Sequence, residues 1–391
     1  MSGTLGNSKW IVVASSVHRW DDTRILYRQA ASLSALGKVV LFAPAPFRRK
    51  KMGNITIIGI PPWHHKHQRI RLIASLYFTF RNNIKNVKSI HVHDPELLPL
   101  IYLLHRKNKH IGLIYDMHEN YKELIYSKSW IPLFLRSAIK KIYVWVEEKV
   151  IPELSGVIYS PKELKNKLLS LNSRAVRIEN YPILKRESAF PNLEEIKRGN
   201  NKVVYLGQMR RIRGIMELIE AIKVVSKTIE NIRLEFIGRA VPLNFEWEIK
   251  TKIQQLNLES YISVRGHLPY DEALRLARDA NIGIVTFLPT PNNISCLPNK
   301  LFEYMQLCLP VIGSNFPHYA EIIEKNNCGL LVDPSDPNSI ALGIIKLLSD
   351  PDLIKKMGNN GRRAIDNEYN WENESNKLLN FYYETLSVNL L

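Results

Sequence analysis

Lys300 and Glu303 stand one helical turn apart in Leu297-Pro298-Asn299-Lys300-Leu301-Phe302-Glu303-Tyr304-Met305. Pro298 marks a turn, the residues after it carry helical apolar spacing, and a strand is expected over Leu309–Ile312. A helix start presents backbone N–H groups and the positive end of a dipole, which suits a phosphate. Lys300 adds a mobile cation there, and the Glu303 carboxylate can grip vicinal hydroxyls such as those of a ribose. Read blandly, the two are a surface ion pair that contributes little, but their neighbours Leu301, Phe302 and Tyr304 are not surface residues. This one segment has the parts to hold a sugar nucleotide.

Other chemistry-bearing residues cluster where strands end. Arg210, Arg211 and Arg213 follow Tyr205-Leu206-Gly207 and precede a helix near Ile215. Gly207 permits close backbone approach, and a guanidinium can take a diphosphate in bidentate fashion. A solvated basic loop is the alternative, weaker for Arg213 than for the other two. His118 and Glu119 follow a strand expected over Ile111–Tyr115. Asp94, in His91-Val92-His93-Asp94-Pro95-Glu96, either holds a substrate hydroxyl or caps the next helix. His91, His93, Asp94, Asp116 and His118 invite a Zn²⁺ or Mn²⁺ reading. Alternation along a strand is expected to keep His91 and His93 from serving one side together, and neither HExxH nor a Cys cluster is present, so no metal is expected.

These residues need a scaffold that delivers strand ends. The first half reads as strands at Trp10–Ala14, Val39–Phe42, Ile55–Ile60, Ser89–Val92, Ile111–Tyr115 and Gly156–Tyr159. Helices fall between them, over Thr23–Leu36 and near 66–84, 95–107, 130–154 and 161–170. The pattern restarts with strands at Lys202–Tyr205, Arg233–Ile237, Ile262–Val264, Ile282–Thr286, Leu309–Ile312 and Gly329–Val332. Strands separated by crossover helices specify parallel sheets covered on both faces, with ligands at the carboxyl ends of the strands. The reading is α/β with a Rossmann-like domain over 1–183, a linker over 184–201, a second such domain over 202–370 and a final helix over 371–391.

Six motifs in order carry a family resemblance: Asp21-Asp22-Thr23-Arg24-Ile25; His93-Asp94-Pro95-Glu96-Leu97-Leu98-Pro99; Tyr115-Asp116-Met117-His118-Glu119; Tyr205-Leu206-Gly207 with Arg213-Gly214; the 297–305 segment; and Gly329-Leu330-Leu331-Val332-Asp333-Pro334. Together they resemble retaining family-4 glycosyltransferases of the GT-B fold, in a branch of bacterial surface-polysaccharide assembly. The resemblance implies two doubly wound domains facing across a cleft, with the final helix crossing back to the first. It implies a UDP- or GDP-linked sugar as co-substrate and no cofactor or metal. Donor contacts are implied at Gly207, Arg210, Arg213, Gly238, Asn292, Ser295, Asn299, Lys300 and Glu303, and catalytic roles at His118, Glu119 and Asp94. Glu303 matches the second glutamate of the family's Glu-x7-Glu motif. Where the first would lie the chain has Ser295, so neutral hydrogen bonds from Asn292, Asn293 or Ser295 are expected instead. Gln208 stands at the family's usual Arg, and Arg213 replaces its Lys. The implied reaction moves a sugar to a hydroxyl of a lipid-linked or surface-glycan acceptor. Competing readings are a nucleotide-sugar 2-epimerase of the same fold and a non-catalytic sugar-nucleotide or nucleic-acid binder.

Charge is divided unevenly. Residues 1–190 hold 31 Lys+Arg against 13 Asp+Glu, and residues 191–391 hold 23 against 24. The first half is therefore expected to face an anionic partner. No zinc-finger spacing or RNP-like motif favours nucleic acid. The helix near 130–150 has apolar residues at 131, 134, 135, 138, 139, 142, 145, 146 and 150, with Arg136, Lys140 and Lys141 beside them and Trp130 at its start. Either it packs as a core helix with a basic edge or it lies on an anionic membrane; Arg24 is grouped with this acceptor and membrane side. A polar N-terminus, no long apolar run and three scattered cysteines suit a cytoplasmic protein at the inner face of the cell membrane.

Overall fold

The computed structural model describes residues 9–61, 68–118, 121–122, 125, 131–160, 162–184 and 201–387. Two compact units emerge, Met1–Asn180 with Trp371–Leu391, and Tyr181–Asn370.

The first unit is built on eight strands: β1 (Trp10–Ala14), β2 (Val39–Pro44), β3 (Arg49–Met52), β4 (Ile55–Ile60), β5 (Val87–Val92), β6 (Gly112–Met117), β7 (Gly156–Tyr159) and β8 (Ala175–Arg177). Their order is β3-β4-β2-β1-β5-β6-β7-β8. All neighbours run parallel except β3 against β4. Continuous burial of Trp10–Ala14 and Val39–Pro44 reflects a sheet covered on both faces. On one face Ile11, Val13, Ile25 and Leu41 pack with Trp371, Leu378, Phe381 and Tyr382 of the last helix, Trp371–Ser387. β3 and β8 have no counterpart among the expected strands. Arg49-Lys50-Lys51 is exposed, as suits an edge strand kept polar against further pairing, and it carries no apolar alternation to betray it.

The chain passes from β1 into Thr23–Ala30, a wide helical turn of π type, continued by Ala31–Leu33. Asp22 caps it by accepting from the N–H groups of Arg24 and Ile25.

In the second unit β9 (Lys202–Leu206), β10 (Arg233–Ile237), β11 (Ile262–Val264), β12 (Ile282–Val285), β13 (Val311–Ser314) and β14 (Gly329–Val332) are all parallel, in the order β11-β10-β9-β12-β13-β14. The expected strand at Leu309–Ile312 begins two residues later, because Leu309 N–H and Cys308 N–H still bond back to carbonyls of the preceding helix. That helix, Asn299–Gln306, is fixed by packing. The Tyr304 ring lies flat on Gly283 of β12, where any Cβ would fall 2.3 Å from it, and its hydroxyl accepts from Leu206 N–H at 2.7 Å. Phe302 meets the Tyr181 ring at 4.7 Å, and Tyr181 meets Tyr369 at 5.4 Å, each pair contributing about 0.5–1.5 kcal/mol beyond its buried area.

In both sheets the direction of winding reverses at one place, between β1 and β5 in the first and between β9 and β12 in the second. Ligands of open α/β sheets bind outside the strand ends at such reversals. Most of the candidate residues lie at these two places.

Candidate functional site

At the reversal of the second sheet, the chain leaves β9 through Gly207 with φ +95°, a conformation that favours glycine. Gly238, after β10, presses against it: a Cβ there would fall 2.0 Å from the Gly207 carbonyl oxygen. The two loops thus form a bare backbone ledge. Lys300 reaches over it from the first turn of its helix, with Nζ 3.5 Å from the centroid of the Tyr205 ring and 5.2 Å from that of Phe287. The residue is 6% exposed, and its ammonium has no hydrogen-bond partner among the described residues. The surface ion-pair reading fails here. Burial, and then the charge of Arg213, hold Lys300 well below the usual lysine range against the opposing pull of Glu303.

Arg213 lies beside this ledge, donating to the Gln208 carbonyl at 3.0 Å, its guanidinium 5.2 Å from the Phe287 ring centroid. Arg210 is exposed, with Nε on Gln208 Oε1 at 3.2 Å. Glu303 is half-buried and accepts from Tyr270 Oη at 3.2 Å. Tyr270, a residue the sequence reading passed over, therefore steadies that carboxylate. Asn299 opens the helix, and the residue before it, Pro298, offers no side-chain cap. A buried amine, a guanidinium and a glycine ledge fit a diphosphate, and the carboxylate one turn on fits hydroxyls.

The donor-sugar expectations are narrowed. Asn293 is 4% exposed and spends its amide on the carbonyls of Ile212 and Leu288, so it braces the Pro291–Ser295 turn. Ser295 is exposed and donates to Pro291 O at 3.0 Å within that turn. Asn292 is exposed.

The first sheet gathers a polar cluster at its own reversal. Asp116, at the end of β6, is fully buried and accepts from Arg24 Nε and Nη2, both at 2.8 Å, and from Gln29 Nε2 at 2.8 Å. Burial raises its carboxyl, but the Arg24 charge and the His93 and Arg24 hydrogen bonds outweigh this and hold it well below the usual carboxylate range. Arg24 was grouped with the acceptor or membrane side; at 6% exposed it is too buried to touch a membrane, and it locks the β6 end to the Thr23–Ala30 helix. The first and third motifs of the sequence clasp each other through this pair.

Asp94 does not cap the helix that follows it. Its Oδ2 accepts from Ser15 Oγ and Ser16 N–H, each at 2.7 Å, so it holds the loop after β1. The reason is geometric: β1 and β5 are neighbours, and the loop's N–H groups lie closer than the helix's own. His91 in β5 and His93 just past its end point to one face, rings stacked at 4.7 Å. Expecting them to separate was mistaken, since residues two apart in a strand point the same way. With Asp116 they bring three ligand-type atoms within 4.8 Å of one another, but the Asp116 oxygens are already committed to Arg24 and Gln29, and a divalent cation would meet a fixed guanidinium.

His118 extends the cluster, its Nε2 3.2 Å from Nε2 of His18 and 3.4 Å from Tyr121 Oη. Burial chiefly, with Arg24, His18 and His93 adding to it against Asp116, lowers its imidazole to about 4. His18 was missed because it stands in a loop whose neighbours carry the motif. Glu119 and Trp130 lie outside the described residues.

The helix Leu133–Val150 splits its apolar residues between two faces. Tyr143, Val146 and Val150 pack inward, whereas Phe134, Ile142 and Trp145 are exposed, Phe134 to 81%. A single inward stripe was one expectation. The second stripe arises because positions 134, 138, 142 and 145 form a row turned by roughly 120° around the helix from the row of 143, 146 and 150. Lys141 is exposed beside it, with Arg136 and Lys140 half-buried. No helix among the described residues is long and apolar enough to cross a membrane.

Residues 187–364 match the family model described as glycosyl transferases group 1. The chain is 24% identical over 180 residues to an uncharacterized glycosyltransferase of Methanocaldococcus jannaschii, a match covering 46% of this chain and 44% of that protein. It thus spans under half the length of that relative. It is 22% identical over 282 residues to the capsular polysaccharide biosynthesis glycosyltransferase CapM of Staphylococcus aureus, covering 63% of this chain and 68% of CapM. Among solved structures, sucrose-phosphate synthase from Thermosynechococcus elongatus superposes with a TM-score of 0.75 at 18% identity, over 97% of this chain and all of that one. Anabaena HepE in complex with UDP superposes with a TM-score of 0.69 at 13% identity, over 96% of this chain and all of that one. These likenesses establish the fold.

Proposed function

Taking as premise a chain of the GT-B fold with a glycosyl transferases group 1 segment over residues 187–364, we propose that the protein is a glycosyltransferase. In this reading it moves a hexosyl unit, with retention and without a metal, from a nucleotide sugar to a hydroxyl of a lipid-linked or surface-polysaccharide acceptor. The observation that carries the reading is Lys300, a buried ammonium unpartnered among the described residues and poised over a glycine ledge. HepE, a structural neighbour, was solved with UDP, which supports a uridine nucleotide.

The second unit would hold the donor. Lys300 and Arg213 would take the diphosphate, and as the glycosyl bond breaks they would stabilise the charge gathering on it, the larger part of the rate effect. Glu303, steadied by Tyr270, would bind the ribose. The first unit would hold the acceptor, with His118 and Asp94 among its reacting residues. In this reading no carboxylate serves as the nucleophile of a double displacement, and a same-face transfer, in which a diphosphate oxygen takes the acceptor's proton, is the more economical course.

The first unit would also rest on an anionic membrane at its inner face, through Phe134, Ile142 and Trp145 with Lys140 and Lys141. The relative CapM is named for capsular polysaccharide biosynthesis, an assembly that supports a membrane-bound acceptor.

Incubation of the purified protein with a panel of nucleotide sugars and lipid-linked acceptors, read by mass spectrometry, tests the proposal. Nucleoside diphosphate released together with a glycosylated acceptor is the expected result. An epimerised sugar, or binding without turnover, would replace it with one of the competing readings.

A further inference from the structure

His18 lies in the loop between β1 and the Thr23–Ala30 helix, at the reversal of the first sheet. Its two ring nitrogens face different partners. Nδ1 is 3.6 Å from Asp22 Oδ2, and Nε2 is 3.6 Å from Asp94 Oδ1 and 3.2 Å from Nε2 of His118. Its backbone is held too, since Ser15 Oγ, itself bonded to Asp94, accepts the His18 N–H at 2.8 Å. Two nitrogens that face each other at 3.2 Å must share one hydrogen, because two N–H groups or two lone pairs would repel.

Which imidazole carries the charge follows from what surrounds each. His18 is flanked by two carboxylates and its side chain is 29% exposed. His118 is set against Arg24, His93 and Asp116, and its Nδ1 is buried. Tyr121 Oη approaches the same His118 Nε2 at 3.4 Å. Asp22 lies in the same arrangement: burial raises its carboxyl, but the His18 hydrogen bond, the Ile25 N–H and the His18 charge draw it down to about 2.

We propose that His18 is the positioning residue for His118: it donates its Nε2 hydrogen to His118 Nε2, holds the positive charge between Asp22 and Asp94, and fixes His118 as the neutral tautomer with hydrogen on Nδ1. The inference rests on the reading of His118 as a reacting residue only for its consequence in catalysis. The pairing itself does not depend on it.

Long-range ¹H–¹⁵N correlation spectra of the full chain labelled with ¹⁵N-histidine test this at neutral pH without substrate, His18→Gln and His118→Gln assigning the signals. The expected spectrum has His118 protonated at Nδ1 and bare at Nε2, with both nitrogens of His18 protonated. His18→Gln, whose amide can still donate, should keep the His118 pattern, and His18→Phe should mix its tautomers. Hydrogen on His118 Nε2 in the wild type, or an unchanged pattern in His18→Phe, overturns the proposal; the wild-type spectrum decides alone if the variant does not fold. In transfer assays His18→Phe should lower kcat by about 10²-fold, the low end for a positioned acid–base group, with donor KM unchanged and partial rescue by Gln. A rise in KM with kcat unaltered contradicts it. Because the spectra need no donor, their failure leaves the glycosyltransferase reading standing, and loss of nucleotide binding leaves the histidine pair standing.

Discussion

The Lys300 ammonium lies 3.5 Å above the ring of Tyr205, buried and with no hydrogen-bond partner among the described residues. A cation over an aromatic face gains some attraction, but burial costs more and holds Lys300 well below the usual lysine range. The unfolded chain therefore binds more protons than the folded one between the depressed folded pKa and about 10.5. Stability must rise with pH across that window. Denaturant melts of wild type at stepped pH should show this rise, and Lys300→Met should flatten it while unfolding at higher denaturant. A steeper slope in the variant would contradict the assignment.

Asp116 gives a slope of the same sign, lower on the pH scale, but as a stabilising contribution rather than a relieved penalty. Its folded pKa is depressed, so its contribution is complete above the usual carboxylate range and is lost as pH falls through the folded value. Asp116→Asn leaves Arg24 buried without its counter-charge and should destabilise the first unit by about 3–5 kcal/mol. Equilibrium unfolding checks the magnitude; a loss below about 1 kcal/mol would mean that Arg24 finds water.

Glu303→Ala should weaken nucleotide binding strongly, by about 1.5–3 kcal/mol for charge-assisted bonds to hydroxyls, or some 10- to 150-fold in Kd. Tyr270→Phe, which removes one hydrogen bond to the carboxylate and keeps the carboxylate itself, should cost less. Calorimetric titration of both variants gives the ranking, and equal affinities for wild type and Glu303→Ala would remove the ribose role.

Membrane contact predicts co-flotation with anionic phospholipid vesicles, weaker in high salt. Phe134→Ser with Trp145→Ser should abolish it, because both side chains are exposed. Equal flotation with neutral vesicles, or none with anionic ones, speaks against it.

Much of this was legible before any coordinates. The uninterrupted apolar run Trp10–Ala14 and the alternation of Arg233–Ile237 read as strands with the bounds the structure has, and the restart after residue 201 reads as the second sheet. The Lys300–Glu303 pair was legible because a turn, a helix start and charge coincide in sequence. What periodicity could not give was partnership at a distance. Arg24 reads as a surface cation until Asp116, 92 residues away, accepts from its Nε and Nη2. Asp94 reads as a cap until Ser15 and Ser16 arrive from β1. His18 carries no local signal and gains meaning only beside His118. The neighbours β1 and β5 create the second; the other two join the ends of β1 and β6, which the sheet sets on either side of β5.

Titration calorimetry of UDP and GDP against wild type and Lys300→Met, repeated in buffers of different ionisation enthalpy, goes most directly to the donor site. The account predicts that one nucleotide binds and that its diphosphate draws the Lys300 pKa upward, read as proton uptake that increases as the buffer pH is raised, and that Lys300→Met loses about 10- to 150-fold in affinity along with the uptake. Binding of equal strength in the variant, with no proton taken up by the wild type, would contradict it.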